Sequence, residues 1–277
     1  MKIVETVAEM QHLCRSLRTD HAPLGLVPTM GALHAGHLSL VRRAKSECAA
    51  VVATIFVNPL QFGPNEDLAQ YPRPFDEDCR QLAAEGVTLL FAPTPAEMYP
   101  PGSSTTISVS GIGDRLDGAS RPGHFTGVAT VVAKLFHIAQ PHRAYFGQKD
   151  AAQLAVLRQM ARDLHFDLEI VGCPIVRDAD GLALSSRNKY LSPAERTEAL
   201  ALHRALAHIE QSIARGERQS EALIKEGTQK LSNVKLDYLA TVDAQTLLPV
   251  TTVAPGTLVA VAAWVGQTRL IDNFLAD

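Results

Sequence analysis

The residues best suited to chemistry in this chain are two histidines, His34 and His37, separated by Ala35-Gly36. They belong to the run Pro28-Thr29-Met30-Gly31-Ala32-Leu33-His34-Ala35-Gly36-His37. A short apolar run, Leu24 to Val27, precedes it and reads as a strand. The segment Leu38 to Lys45 follows, with apolar positions at helical spacing. The histidines therefore sit where a strand turns into a helix. Backbone N–H groups at a helix start favour anions. Gly31 and Gly36 would let a phosphate chain approach the backbone closely. Imidazoles placed there can donate to phosphate oxygens and stabilise charge that grows during phosphoryl chemistry. This reads as a nucleotide site; a pair of solvent-facing turn histidines is the plainer alternative.

Two further segments offer cations. In Leu184-Ser185-Ser186-Arg187-Asn188, small hydroxyls precede a guanidinium whose planar fork matches phosphate oxygens. In Tyr145-Phe146-Gly147-Gln148-Lys149-Asp150, Lys149 stands between a strand-like and a helix-like stretch, with Asp150 as a candidate helix N-cap. Taken singly, each also reads as an ordinary surface loop.

These segments need a scaffold, and the first part of the chain supplies a regular one. Strands are expected at 24–27, 51–57, 88–91, 144–146 and 168–171. Helices are expected at 5–17, 37–48, 75–85, 128–139 and 151–164. Such alternation implies a Rossmann-like parallel sheet covered on both faces. Ligands of such sheets collect beyond the carboxyl ends of the strands. The histidine turn, Asn58 to Phe62, and Gly147 to Asp150 each follow a strand. After about residue 176 the character changes. Ser192 and Pro193 open a long helix to Arg215. A second helix is expected at 221–231, then strands at 235–242, 257–265 and 268–272. The fold class is α/β: a Rossmann-like N-terminal domain, 1–176, and a smaller α+β C-terminal lid domain, 177–277.

Composition agrees with a folded globular protein rather than a disordered one. Of 277 residues, 46% are hydrophobic and 20% charged. The 26 basic residues against 29 acidic ones argue against a nucleic-acid surface. Cys14, Cys48, Cys79 and Cys173 form no CxxC pair, so neither zinc nor redox chemistry is indicated. They read as mostly buried thiols of a reducing compartment. The N-terminus has no secretory core. The longest apolar runs, 49–57 and 258–265, are too short to span a bilayer. The expected location is the cytoplasm.

Five motifs occur in series: PTMGALHAGH at 28–37, FVNPLQF at 56–62, RPGHFTGV at 121–128, FGQKD at 146–150 and LSSRN at 184–188. In this order they resemble the pantothenate synthetase (pantoate–β-alanine ligase) family, within the wider HxGH nucleotidylyltransferase superfamily. The resemblance spans residues 28 to about 190 and runs more weakly to the C-terminus. Gln148 departs from it, since glutamate is expected there in many members.

The resemblance implies an acid activated by transfer of AMP from ATP, with pantoate as acid and β-alanine as the amine that then expels AMP. It implies ATP contacts from Met30, Gly31, Ala32, Leu33, His34, Ala35, Gly36 and His37. Further ATP contacts would come from Gly147, Gln148, Lys149 and Asp150, and from Val176, Leu184, Ser185, Ser186 and Arg187. Catalytic roles fall to His34, His37, Lys149 and Arg187, with His37 as proton donor. Gln61 and Gln153 match pantoate-binding glutamines, and Gln61 also the β-alanine contact. Surface solvation is the plainer reading of each glutamine. Met30, Phe62, Val131 and Val132 would wall the acid's methyl groups, or simply pack a core. Magnesium is implied as the nucleotide's partner, held by phosphates and water. Asp76, Glu77 and Asp78 therefore read as an acidic helix start rather than metal ligands. A homodimer through the N-terminal domain is implied as well. His124 lies in a family motif without an assigned step. His12, His21, His137, His142, His165, His203 and His208 lack ligand spacing and read as structural or exposed.

An adenylyltransferase that retains AMP in its product is the competing enzymatic reading, and an ATP-binding regulator the non-enzymatic one. The glutamine motifs favour the ligase. The presence of both histidines and Lys149 disfavours the regulator.

Overall fold

A computed structural model describes residues 1–18, 22–64 and 66–277. His21 lies outside the described residues. Six strands form one parallel sheet: β1 Lys2–Val4, β2 Leu24–Thr29, β3 Ala50–Ile55, β4 Leu89–Phe91, β5 Arg143–Gly147 and β6 Glu169–Cys173. Their spatial order is β1-β4-β3-β2-β5-β6. The helices of this part are α1 Val7–Leu17, α2 Ala35–Glu47, α3 Phe75–Ala84, α4 Pro95–Met98, α5 Asp117–Ser120, α6 His124–Ala139 and α7 Ala151–Asp163. Then follow α8 Pro193–Ala214 and α9 Ser220–Thr228, and a three-stranded antiparallel sheet of β7 Lys235–Asp243, β8 Thr257–Val265 and β9 Thr268–Leu275.

The β2 sequence explains why a cleft opens where it does. Its near-continuous apolar run is buried on both faces, as a central parallel strand requires. Leu24 and Leu26 join the core beneath α6 and α7, while Val27 joins the one beneath α2 and α3. With β3 it pairs along its whole length, Leu24 to Thr29. With β5 it pairs only at Gly25 and Leu26. Pro28, which has no N–H to give, stands beyond that short ladder. The sheet order also reverses direction between β2 and β5, so the strands part at the switch point of the fold.

The antiparallel sheet is buried on both sides. Val259, Val261 and Ala263 face α8 in one core. Val242, Leu258 and Ala260 join the core of the parallel-sheet part. The long helix α8 starts with the expected Ser192 cap, whose hydroxyl accepts from Glu195 N while Glu195 answers the Ser192 N–H.

Several element expectations need correction. β1 went unread because three residues give too little periodicity. Helix α6 starts at His124, four residues before the apolar run that signals it, because left-handed Gly123 opens it. Asp150 precedes α7, but its side chain does not cap that helix; it faces Lys149 instead. No helix among the described residues is long and apolar enough to cross a membrane.

Candidate active site

The ends of β2, β3 and β5 each contribute a turn to the cleft, and the histidine turn is the most constrained. Gly31 and Ala32 both adopt left-handed backbone, φ 81° and 51°. The bend aims the N–H groups of Ala32 and Leu33 at the Asp78 carboxylate, 2.8 and 2.9 Å away. Asp78 is buried, and a Cβ at Gly31 would stand 2.9 Å from its Oδ2. Asp78 is therefore more than an acidic helix start: it is the anion that fills this backbone nest. The N–H groups expected to meet a phosphate at Ala32 and Leu33 are already taken, since a buried carboxylate satisfies them better than solvent would. Replacing Asp78 by asparagine keeps the shape but turns an NH₂ toward one of those N–H groups. We expect a loss of about 1–3 kcal/mol, the cost of an unsatisfied buried donor, measured as a lower urea midpoint; an unchanged midpoint would refute the bracing role.

His34 is the N-cap of α2. Its Nδ1 accepts from Gly36 N at 3.1 Å, so the neutral ring carries its proton on Nε2. The cap thus uses one N–H of the helix start that the sequence offered to an anion. His37 stacks against it, ring centroids 4.0 Å apart. Its buried Nδ1 has no hydrogen-bond partner among the described residues. Burial and then the Lys149 charge push the His34 pKa down to about 4. Burial, the neighbouring His34 and Lys149 push His37 down to about 3. Both imidazoles are neutral near pH 7 in the free protein, so each offers an N–H rather than a full charge. A triphosphate's negative charge would raise both values.

Lys149 lies on the short turn Gln148–Asp150 that continues β5, with Nζ 3.5 Å from Asp150 Oδ1. Burial works against the Asp150 charge, but Lys149, His37 and Arg187 outweigh it and hold its pKa below the usual range. Arg187 is not a free fork. Its Nε and Nη2 clasp Asp67 at 3.2 and 3.0 Å, which leaves Nη1 for another partner. Ser185 caps its own turn by accepting from Arg187 N. Ser186, expected beside it on a triphosphate, is buried and points to the Tyr71 hydroxyl, 3.3 Å away. Leu184 N donates to Val176 O, and the Leu184 side chain faces Gly36, so this loop sits against the start of α2.

The acid-binding candidates meet in one cleft of about 840 Å3. Met30, His37, Gln61, Val131, Val132, Gly147, Asp150 and Gln153 all line it. Phe62 is not among its walls and packs edge-on against Tyr71. A second cavity, about 480 Å3, shares Asp150 and Gln153 and adds Arg121, His124, Lys149, Ser185, Arg187 and Arg269. Gln61 is tightly set. Its Oε1 accepts from Asn58 Nδ2 at 3.2 Å and its Nε2 faces Met30 Sδ. Its carbonyl receives His124 Nδ1 at 2.8 Å and Arg121 at 3.3 Å. Because arginine only donates, its contact to His124 Nε2 fixes the tautomer, with the proton on Nδ1. This gives His124 its place: it holds the backbone of Gln61. Gly127 completes the seat, since a Cβ there would lie 2.1 Å from Leu60 O.

Sequence reading put Asn58 on this edge without a role of its own and missed Tyr71; both line the cleft wall. The signal for Asn58 was present: an Asn-Pro step after a strand marks an N-cap, and Asn58 caps the Pro59–Gln61 turn. Tyr71 carried none. Among the described residues no group of three or more His, Cys, Asp or Glu is placed to hold a metal.

The family model described as pantoate-beta-alanine ligase matches residues 2–275. The chain belongs to the pantoate-beta-alanine ligase family. A pantothenate synthetase from Koribacter versatilis is 56% identical, covering 99% of this chain and 96% of the relative. One from Thermotoga petrophila is 54% identical, with 99% of each chain covered. The crystal structure of pantothenate synthetase from Thermus thermophilus superposes with a TM-score of 0.94 at 48% identity, over 99% of both chains. The pantoate-beta-alanine ligase of Francisella tularensis, crystallised with beta-gamma ATP and beta-alanine, gives 0.77 at 35% identity, covering 99% of this chain and 97% of that one.

Proposed function

We propose that this protein condenses pantoate with β-alanine to pantothenate at the expense of ATP, by way of pantoyl adenylate. One observation carries the reading beyond family membership: His37, Gln61 and Gln153 line a single cleft at the strand switch point, and Gln153 and Asp150 join it to the adjoining cavity that Lys149 lines. A carboxylate is a poor electrophile, and an amine at neutral pH is mostly protonated. Transfer of AMP to the pantoate carboxylate forms a bond to the α-phosphorus and releases pyrophosphate. The amine of β-alanine then attacks the acyl carbon, and AMP leaves with the bonding electrons.

In this mechanism His34 Nε2–H and His37 donate to the α- and β-phosphates, where negative charge grows in the transition state. Lys149 neutralises the same oxygens as a point charge. Arg187 contributes through Nη1, with Asp67 steadying its fork. Gln61 and Gln153 bond the hydroxyl and carboxylate of pantoate without burying a charge. Met30, Val131 and Val132 supply the apolar wall. Magnesium enters with ATP as part of the substrate, consistent with a site that offers cations and amides rather than a carboxylate cage. The division into 1–176 and 177–277 is supported by the change from parallel to antiparallel pairing. A cytoplasmic location is supported by the four free cysteines. The homodimer rests on the family resemblance, and sedimentation would check it.

The experiment is direct. ATP, pantoate and β-alanine should yield pantothenate, AMP and pyrophosphate by mass spectrometry. ATP and pantoate alone should support isotope exchange between pyrophosphate and ATP. A product that retains AMP would indicate an adenylyltransferase, and exchange that requires β-alanine would exclude a free-standing adenylate step.

A further inference from the structure

The turn that carries Lys149 is hydrogen-bonded by a residue from the other end of the chain. Strand β9 is one edge of the antiparallel sheet, and its side chains alternate. Leu270 and Phe274 turn toward α8. Arg269, Ile271 and Asn273 face the parallel-sheet part: Arg269 pairs with Asp117, and Ile271 lines the cavity beside Lys149. Asn273 is buried. Its Nδ2 donates to Lys149 O at 2.8 Å and to Gln148 O at 3.0 Å, and its Oδ1 accepts from Gln148 Nε2 at 3.3 Å. Two carbonyls can face only the nitrogen of an amide, so the orientation of this side chain is fixed by its neighbours. Behind it, the Asp272 carboxylate accepts from Asn273 N at 2.8 Å and holds Arg177 through two contacts of 2.6 and 2.9 Å.

We propose that Asn273 is the positioning residue for Lys149. Both N–H groups of one amide clasp consecutive carbonyls of the phosphate-facing turn, so the C-terminal sheet sets where the lysine charge lies. Gln148 belongs to the same device. Its amide answers Asn273 Oδ1, which a glutamate carboxylate could not do. The inference rests on Lys149 serving adenylation, as proposed above.

A double-mutant cycle tests it. Asn273→Asp is nearly isosteric but presents an oxygen to two carbonyls. We expect pyrophosphate–ATP exchange to fall about tenfold to a hundredfold, the scale of a misplaced group at a reacting centre. Conversion of supplied pantoyl adenylate by β-alanine should stay within about twofold of wild type, because that step releases AMP without the triphosphate. In a Lys149→Ala background the same substitution should cost less than about threefold, since the group it positions is gone. Equal losses in both backgrounds, or equal losses in both half-reactions, would overturn the proposal and leave Asn273 a packing residue. An unchanged exchange rate in Asn273→Asp would overturn it too. If Lys149→Ala itself exchanges normally, the failure lies in the reading of Lys149 instead. Should Asn273→Asp not fold, Asn273→Ser, which keeps one donor and opens the clasp, carries the same cycle with the same outcomes.

Discussion

Lys149→Ala is expected to slow pyrophosphate–ATP exchange by about two to three orders of magnitude, equivalent to about 3–4 kcal/mol, as when one preorganised donor is removed from a developing anion. The turn should keep its shape, because its backbone is clasped by Asn273 and not by the lysine side chain. Unfolding midpoints should therefore stay close to wild type. A second readout follows from electrostatics. The Lys149 charge helps to depress both imidazoles, so its removal should raise the pKa values of His34 and His37 from about 4 and about 3. Burial, the larger cause, remains, so neither should reach the ordinary value. Histidine NMR titration of the free protein reads this shift. Near-normal exchange would defeat the assignment, and so would a mutant that fails to fold. Unmoved histidine titrations would mean that Lys149 does not face the pair.

Chemistry that depends on local order was legible in the sequence. The HxGH turn, the Lys149 turn and the glutamine turn each follow a strand, and parallel-sheet topology alone brings strand ends to one edge. What the sequence hid was partnership across the fold. Asp78 lies 45 residues from Leu33, and only the tertiary packing of α3 shows that its carboxylate fills the nest at Ala32 and Leu33. Arg187 has the residue type for phosphate, yet Asp67 already engages two of its nitrogens. The serine pair illustrates the same limit. Two adjacent hydroxyls on an irregular turn point different ways, Ser185 to the cavity and Ser186 into the interior against Tyr71. Asn273 falls just past the strand expected at 268–272, and its meaning exists only opposite residues 148 and 149. Pro28 is the converse case. Proline is disfavoured in a strand interior, and it sits in the central strand because β5 has already diverged there.

Gln61 and Gln153 should fail in different ways. Gln153 sits in the first turn of α7, beside the junction of the two cavities. Gln153→Ala should weaken pantoate use while ATP binding stays near normal, with a penalty of roughly 1–3 kcal/mol for polar groups left short of a partner. Gln61→Ala should carry that penalty and also impair attack by β-alanine. The truncation leaves the local fold in place. Asn58 Nδ2 still donates to Gly127 O at 3.0 Å, and the Gln61 carbonyl still receives His124 and Arg121. The loss therefore reports on the amide itself, which Asn58 and Met30 hold toward the cleft in the wild-type chain. Supplying preformed pantoyl adenylate separates the two defects, because pantoate no longer has to be captured free. Under those conditions Gln61→Ala should still convert slowly to pantothenate, while Gln153→Ala should recover much of its rate. Equal, wild-type-like conversion by both variants would mean that the amine binds elsewhere, and the second cavity beside Arg121 and His124 would then be the place to look.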